Sequence, residues 1–162
     1  MLFDSCGMDV ARAALLISII GGLMIIGKVV IGKIIDMIGT YKSLMLFGLL
    51  LGSGLFLTPF IDRGGIILYY SVFAIGIGFS MMMVSPASFS KDIAKKGQYF
   101  STVRVLEIAY VTGSFVFGIV PGFLAEITGT YVTSYLILGI LLVFSLVLMS
   151  TYYLGHRITR RK

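Results

Sequence analysis

The chain has 162 residues, 58% of them apolar and 12% charged, with a mean hydropathy of +1.04 and a formal charge of +6. A soluble domain carries about 25% charged residues, so this composition excludes an ordinary water-soluble enzyme, and 12 Phe with 9 Tyr exclude a disordered chain. The bilayer is the solvent that fits, and at about 20 residues per span the length allows five crossings.

Residues 1–9 carry Asp4 and Asp9 and no basic residue, unlike the start of a signal peptide, and residues 1–12 read as an extracellular stub. Cys6 is the sole cysteine, so no internal disulfide forms. The first apolar segment, 13–32, is interrupted only by Lys28. The second, 43–61, is uncharged and meets Pro59. The third lies within 64–90, is uncharged and reaches Pro86. The fourth, 98–125, holds Arg104 and Glu107 in its first half. The fifth lies within 127–155 and carries no charge. Only a helix satisfies its own backbone groups in lipid, so each segment is predicted to be a transmembrane helix. Together they form a five-helix domain over 13–155, followed by a basic tail, 156–162.

The connections alternate in charge. Those after the first and third segments hold Lys33, Lys42, Lys91, Lys95 and Lys96, and the tail holds Arg157, Arg160, Arg161 and Lys162. The other two connections hold Asp62 with Arg63, and Glu126 alone. This alternation predicts an outside N-terminus and a cytoplasmic C-terminus. Basic clusters beside long apolar runs are membrane flanks, so the positive charge does not point to nucleic acid. The tail can also contact anionic headgroups.

Two of the connections repeat a pattern. Gly32-Lys-Ile-Ile-Asp36-Met-Ile-Gly39-Thr40-Tyr41 joins segments one and two, and Gly122-Phe-Leu-Ala-Glu126-Ile-Thr-Gly129-Thr130-Tyr131 joins segments four and five, at an offset of 90. Three segments separate the copies, so the second emerges on the opposite face, as in an inverted repeat of three helices. The second unit is complete; the first lacks its opening helix. The expected fold is therefore an all-α membrane protein, a partial six-helix bundle.

The run Gly32-x-x-x-Asp36-x-x-Gly39, with Lys42 close behind, resembles the cytoplasmic loop signature of the major facilitator superfamily. Leu15-Leu-Ile-Ser18-Ile, Gly118-x-x-Pro121-Gly122 and Glu126-x-x-Gly129-x-Tyr131 look like the C-terminal half of monocarboxylate-transporter-like proteins. That resemblance implies helices eight to twelve of twelve, with an N-terminal helical bundle as the missing partner. Family members carry an Asp and, four residues later, an Arg in helix eight; here Met24 and Lys28 occupy those positions. The resemblance implies secondary transport of a small organic anion by alternating access, with a proton as candidate coupling ion, in the plasma membrane. The alternative from another class is a truncated, non-transporting protein that packs against a partner.

Charge inside a span marks the candidate site. Lys28 shares a helical face with Ile17, Gly21, Met24 and Gly32. It either snorkels to the cytoplasm or faces a cavity and attracts an anion. Arg104 and Glu107 are neighbours at i and i+3, read either as an interfacial ion pair or as a gate or proton site. Gly32 is expected to permit close helix contact, Asp36 to cap a helix start and Gly39 to turn the chain. Gly48-x-x-x-Gly52 and Gly118-x-x-x-Gly122 are expected to let helices approach. Pro121 is either a kink or a helix end. Met81, Met82 and Met83 read as pliable packing. No metal-ligand cluster, cofactor loop or catalytic constellation is present in the sequence, and no enzyme activity is expected.

Overall fold

The computed structural model describes residues 8–63 and 65–159. Five α-helices follow one another: α1 (Val10–Ile38), α2 (Thr40–Phe56), α3 (Gly65–Ile93), α4 (Tyr99–Thr128) and α5 (Tyr131–Thr159), with a 3-10 turn, Thr58–Arg63, after α2. Among the described residues there is no strand. Four of the five, all but α2, are long and apolar enough to cross a membrane.

The expected segments are all helical, and their ends differ in informative ways. Helix α1 begins at Val10, inside the stretch read as a stub, and α5 runs to Thr159, into the stretch read as a tail. Residues 1–7, with Asp4 and Cys6, and residues 160–162 lie outside the described residues. The second segment is the exception to a uniform set of spans. Its α-helix has 17 residues, about 26 Å at 1.5 Å per residue, short of a hydrocarbon core of about 30 Å. A 3-10 turn, Thr58–Arg63, continues the chain beyond its end. Pro59 lies within that turn and Pro86 lies inside α3, which runs on to Ile93. Pro86 has no N–H to give to the Met82 carbonyl, and the Ser85 hydroxyl donates to that oxygen instead, at 2.9 Å.

Helix α3 is the centre of the bundle. On one side Gly76 and Ser80 face α1: a side chain on Gly76 would put its Cβ 2.8 Å from that of Leu23, and Ser80 Oγ donates to the Met24 carbonyl at 3.0 Å. On the other side Ala74 and Gly78 face α2, with a Cβ on Gly78 falling 2.5 Å from that of Leu51. Ala13, Leu16, Ile31 and Ile35 form the inward stripe of α1, at helical spacing. Lipid gives apolar helices no hydrophobic reason to associate, so such close small-residue contacts, which gain dispersion energy, are what hold the bundle.

Helices α2 and α5 pair antiparallel. A Cβ on Gly48 would meet Leu146 and one on Gly52 would meet Leu142, so the Gly48-x-x-x-Gly52 pair is a close-approach site as expected. Met81 is buried in the core while Met83 is exposed, which divides the methionine run between packing and surface. Helix α4 stands at the edge, with Ala125 its one buried residue.

Candidate functional site

The turn between α1 and α2 is a single residue. Gly39 adopts φ 86° and ψ 158°, a region that is essentially glycine-only, and its N–H closes α1 on the Ile35 carbonyl at 2.8 Å. The equivalent Gly129 closes α4 on the Ala125 carbonyl, also at 2.8 Å, but from the ordinary left-handed region, φ 73° and ψ 1°. The two turns therefore share a bond and differ in strain. Gly39→Asn is expected to cost about 1–3 kcal/mol, whereas Gly129→Asn, which suits the left-handed region, should cost well under that. Thermal unfolding of the two variants in the same detergent separates them.

Asp36 sits in the last turn of α1 and is exposed, and Gly39, not Asp36, is the residue that begins α2. The expected helix-start cap is therefore absent. Gly32 is half-buried, and among the described residues nothing approaches the place of its missing side chain, so no helix closes on it there. Lys42 is exposed.

Around that turn lies a cavity of about 260 Å3, lined by Ile38, Gly39, Thr40, Tyr41, Lys42, Asp92 and Tyr153. Four helix ends meet there, those of α1, α2, α3 and α5. Thr40 Oγ1 donates to the Ser88 carbonyl at 3.4 Å, Tyr41 Oη and Ser150 Oγ are 2.9 Å apart, and Tyr153 Oη donates to Asp92 Oδ2 at 2.7 Å. The Tyr41 and Tyr153 rings lie 4.8 Å apart. Sequence reading missed Asp92 and Tyr153. The one available signal was an acid amid Lys91, Lys95 and Lys96; nothing local marked the tyrosine as its partner. Tyr153→Phe leaves the ring contact and removes the bond, with an expected loss of about 1 kcal/mol by thermal unfolding.

The opposite end repeats part of this design. Tyr131 packs on the Ala13, Leu16, Ile61, Leu68 and Val72 cluster, and the Thr130 hydroxyl accepts from the Val132 N–H at 3.2 Å. Gly122 and Glu126 are exposed. Pro121 lies inside α4, which continues to Thr128, so it is not a helix end; its carbonyl accepts from Ser134 Oγ at 2.9 Å. Among the described residues no helix comes within 4 Å of a side chain placed at Gly118 or Gly122, because the α4 face that carries them looks outward.

The intramembrane charges are not brought together. Lys28 is exposed on α1, Arg104 and Glu107 are exposed on α4, and α1 and α4 do not touch. Arg104, Glu107, Ile108, Val111 and Thr112 line a shallow depression along one face of α4 alone. Among the described residues no ion pair joins Arg104 to Glu107. All three charges therefore point away from the packed centre of the bundle.

This architecture defines a class: an all-helical protein whose apolar helices are compatible with a multi-pass membrane protein. No family model matches the chain, and neither a characterised protein nor a solved structure gives a match.

Proposed function

We propose that this chain forms the C-terminal helical half of a secondary transporter for small organic anions, similar to the monocarboxylate-transporter branch of the major facilitator superfamily. Transport is by alternating access, two bundles rocking about a site between them. Lys28 attracts the anion, Arg104 with Glu107 gates the path or carries a coupling proton, and the Gly39 turn is the cytoplasmic hinge. The N-terminus lies outside and the C-terminus in the cytoplasm. The observation that carries the reading is that Lys28, Arg104 and Glu107 all sit within long apolar helices yet face outward from the bundle. Charges so placed are costly in lipid and belong in a pathway or against another bundle.

The 90-residue relation lends further support. Moved by that offset, the inward stripe Ala13, Leu16, Ile31 and Ile35 becomes Val103, Leu106, Pro121 and Ala125, which are among the less exposed residues of α4. Gly52 and Leu142, themselves 90 apart, meet at the crossing of α2 and α5, as a two-fold exchange of the two units would require.

Uptake of labelled small organic acids by the complete protein tests the function. Lys28→Ala is expected to lower uptake at least about tenfold, equivalent to about 1.4 kcal/mol. Unchanged affinity and rate would remove Lys28 from the pathway. A second reading, a non-transporting protein that acts by helix packing, is favoured by the open glycines Gly21, Gly32, Gly118 and Gly122. Absence of uptake of any small organic acid by the unaltered protein decides for it.

A further inference from the structure

We infer that the cavity at the Gly39 turn binds a phosphoethanolamine group, the headgroup of a zwitterionic phospholipid, with Lys42 taking the phosphate and Asp92 the ammonium. The inference needs helices that cross a membrane; it does not rest on transport.

The lining selects the class of ligand. Among its residues Lys42 and Asp92 alone are charged, one of each sign. Both are exposed, and among the described residues no ion pair joins them. A simple anion drawn to Lys42 meets the Asp92 carboxylate, and a simple cation drawn to Asp92 meets the Lys42 ammonium. A group that carries both signs satisfies both. Asp92 Oδ2 accepts from the Tyr153 hydroxyl, which fixes the carboxylate and leaves Oδ1 to accept a charge-assisted bond. A primary ammonium supplies that bond, whereas the trimethylammonium of choline has no N–H to give. The cavity of about 260 Å3 has room for about eight non-hydrogen atoms at about 30 Å3 each, the volume of a liquid water, and phosphoethanolamine is of that size. Lys33, Lys91, Lys95 and Lys96 belong to the same end of the bundle without lining the cavity. They draw phosphate-bearing lipids to this end, and the lining chooses among them.

Depth agrees independently. Helix α2 starts at Thr40 and has 17 residues, about 26 Å against a hydrocarbon core of about 30 Å. A span this short keeps its first turn, with Tyr41 and Lys42, at the hydrocarbon boundary instead of out in water. Tyr41, Tyr152 and Tyr153 cluster ring on ring at the same level, as aromatic side chains do at that boundary. Inward from the site, α2 exposes Leu46 and Leu49 and α5 exposes Leu148. Acyl chains hung from a headgroup in the cavity therefore find apolar surface beneath it. That surface favours the lipid-borne group over the same group free in water.

Phosphatidylethanolamine and its N-methyl, N,N-dimethyl and N,N,N-trimethyl forms, all with the same acyl chains, share the phosphate and lose one N–H donor at each step; the last is phosphatidylcholine. Lipid bound per chain is counted by native mass spectrometry of the full chain, released from micelles that hold one lipid at a time. Binding is expected to fall along the series, about tenfold from first to last, the worth of one hydrogen bond to a charged group. Asp92→Asn keeps an oxygen for the Tyr153 hydroxyl and should bind the first and the last alike. Lys42→Ala should weaken binding of the whole series about tenfold and keep its order. Phosphatidylglycerol, an anion with no ammonium, should bind the unaltered chain more weakly than phosphatidylethanolamine. Water-soluble glycerophosphoethanolamine at equal concentration should not displace the lipid. The inference is overturned by a flat series in the unaltered chain, by a slope that survives Asp92→Asn, or by full binding to Lys42→Ala. Tighter binding of phosphatidylglycerol overturns it in favour of an anion site, and displacement by the soluble group in favour of a free zwitterion. The series in the unaltered chain decides even if a variant fails to fold. None of these readouts involves uptake, so a transport failure and a failure of this site are told apart.

Discussion

Gly78→Ala is expected to abolish the folded bundle. The added Cβ would lie 2.5 Å from Leu51 Cβ, 2.9 Å from its Cα and 3.1 Å from its backbone nitrogen. Two of those three atoms are backbone, so no rotamer change relieves the overlap, and α2 must move bodily away from α3. Overpacking of a core costs about 1–3 kcal/mol when side chains can adjust; here they cannot, and the cost exceeds that range. Leu51→Ala should give no rescue, since alanine keeps the offending Cβ. The measurement is the fraction of purified protein that stays monodisperse in detergent on heating. A Gly78→Ala variant as stable as the parent would show that α2 and α3 do not meet at this point.

Gly27→Ala is the second large effect, and it should be reversible. A Cβ on Gly27 would overlap Ser80 Oγ and come within 2.8 Å of Ser80 Cβ, with Ile77 next at 3.5 Å. The obstacle is thus one small side chain. The single Ser80 hydroxyl proton is shared between the Met24 and Gly76 carbonyls, at 3.0 and 3.1 Å from its oxygen, so displacing it breaks the interhelical bond as well as the packing. A loss of about 2–3 kcal/mol is expected. The double variant Gly27→Ala with Ser80→Gly removes the overlap and should recover most of the loss, short of about 1 kcal/mol for the hydrogen bond. Additive destabilisation in that double variant would contradict direct contact.

Much of the fold was legible residue by residue. Apolar runs located all five helices, the Gly-Thr-Tyr echo located both tight turns, and Gly48 with Gly52 marked a real helix contact. The failures have physical causes. Pro59 does fall just past the end of α2, but Pro86 and Pro121 were poor guides to helix ends, since a proline inside a span is tolerated where a hydroxyl such as that of Ser85 takes the abandoned carbonyl. Gly32, Gly118 and Gly122 looked identical in kind to Gly48 and Gly78, yet among the described residues a side chain at any of them would meet nothing within 4 Å. The bond from Tyr153 to Asp92 joins residues 61 positions apart and left no local trace.

The sequence by itself determined that the chain is helical, where its turns fall and which residues are charged within apolar runs. Those properties follow from composition and from the need of every backbone group in lipid for a partner within its own helix. Only the tertiary structure decided which face of each helix turns inward. The reason is that both faces are apolar: Ile25 and Phe115 are exposed, while Ile31 and Leu51 are buried, so hydrophobicity carries no directional signal between lipid and core. Inward facing is set by fit, a glycine or serine against a larger neighbour, and fit exists only once two helices are together. For the same reason Lys28, Arg104 and Glu107 could be found in the sequence, but their turning outward, on two helices that do not touch, could not.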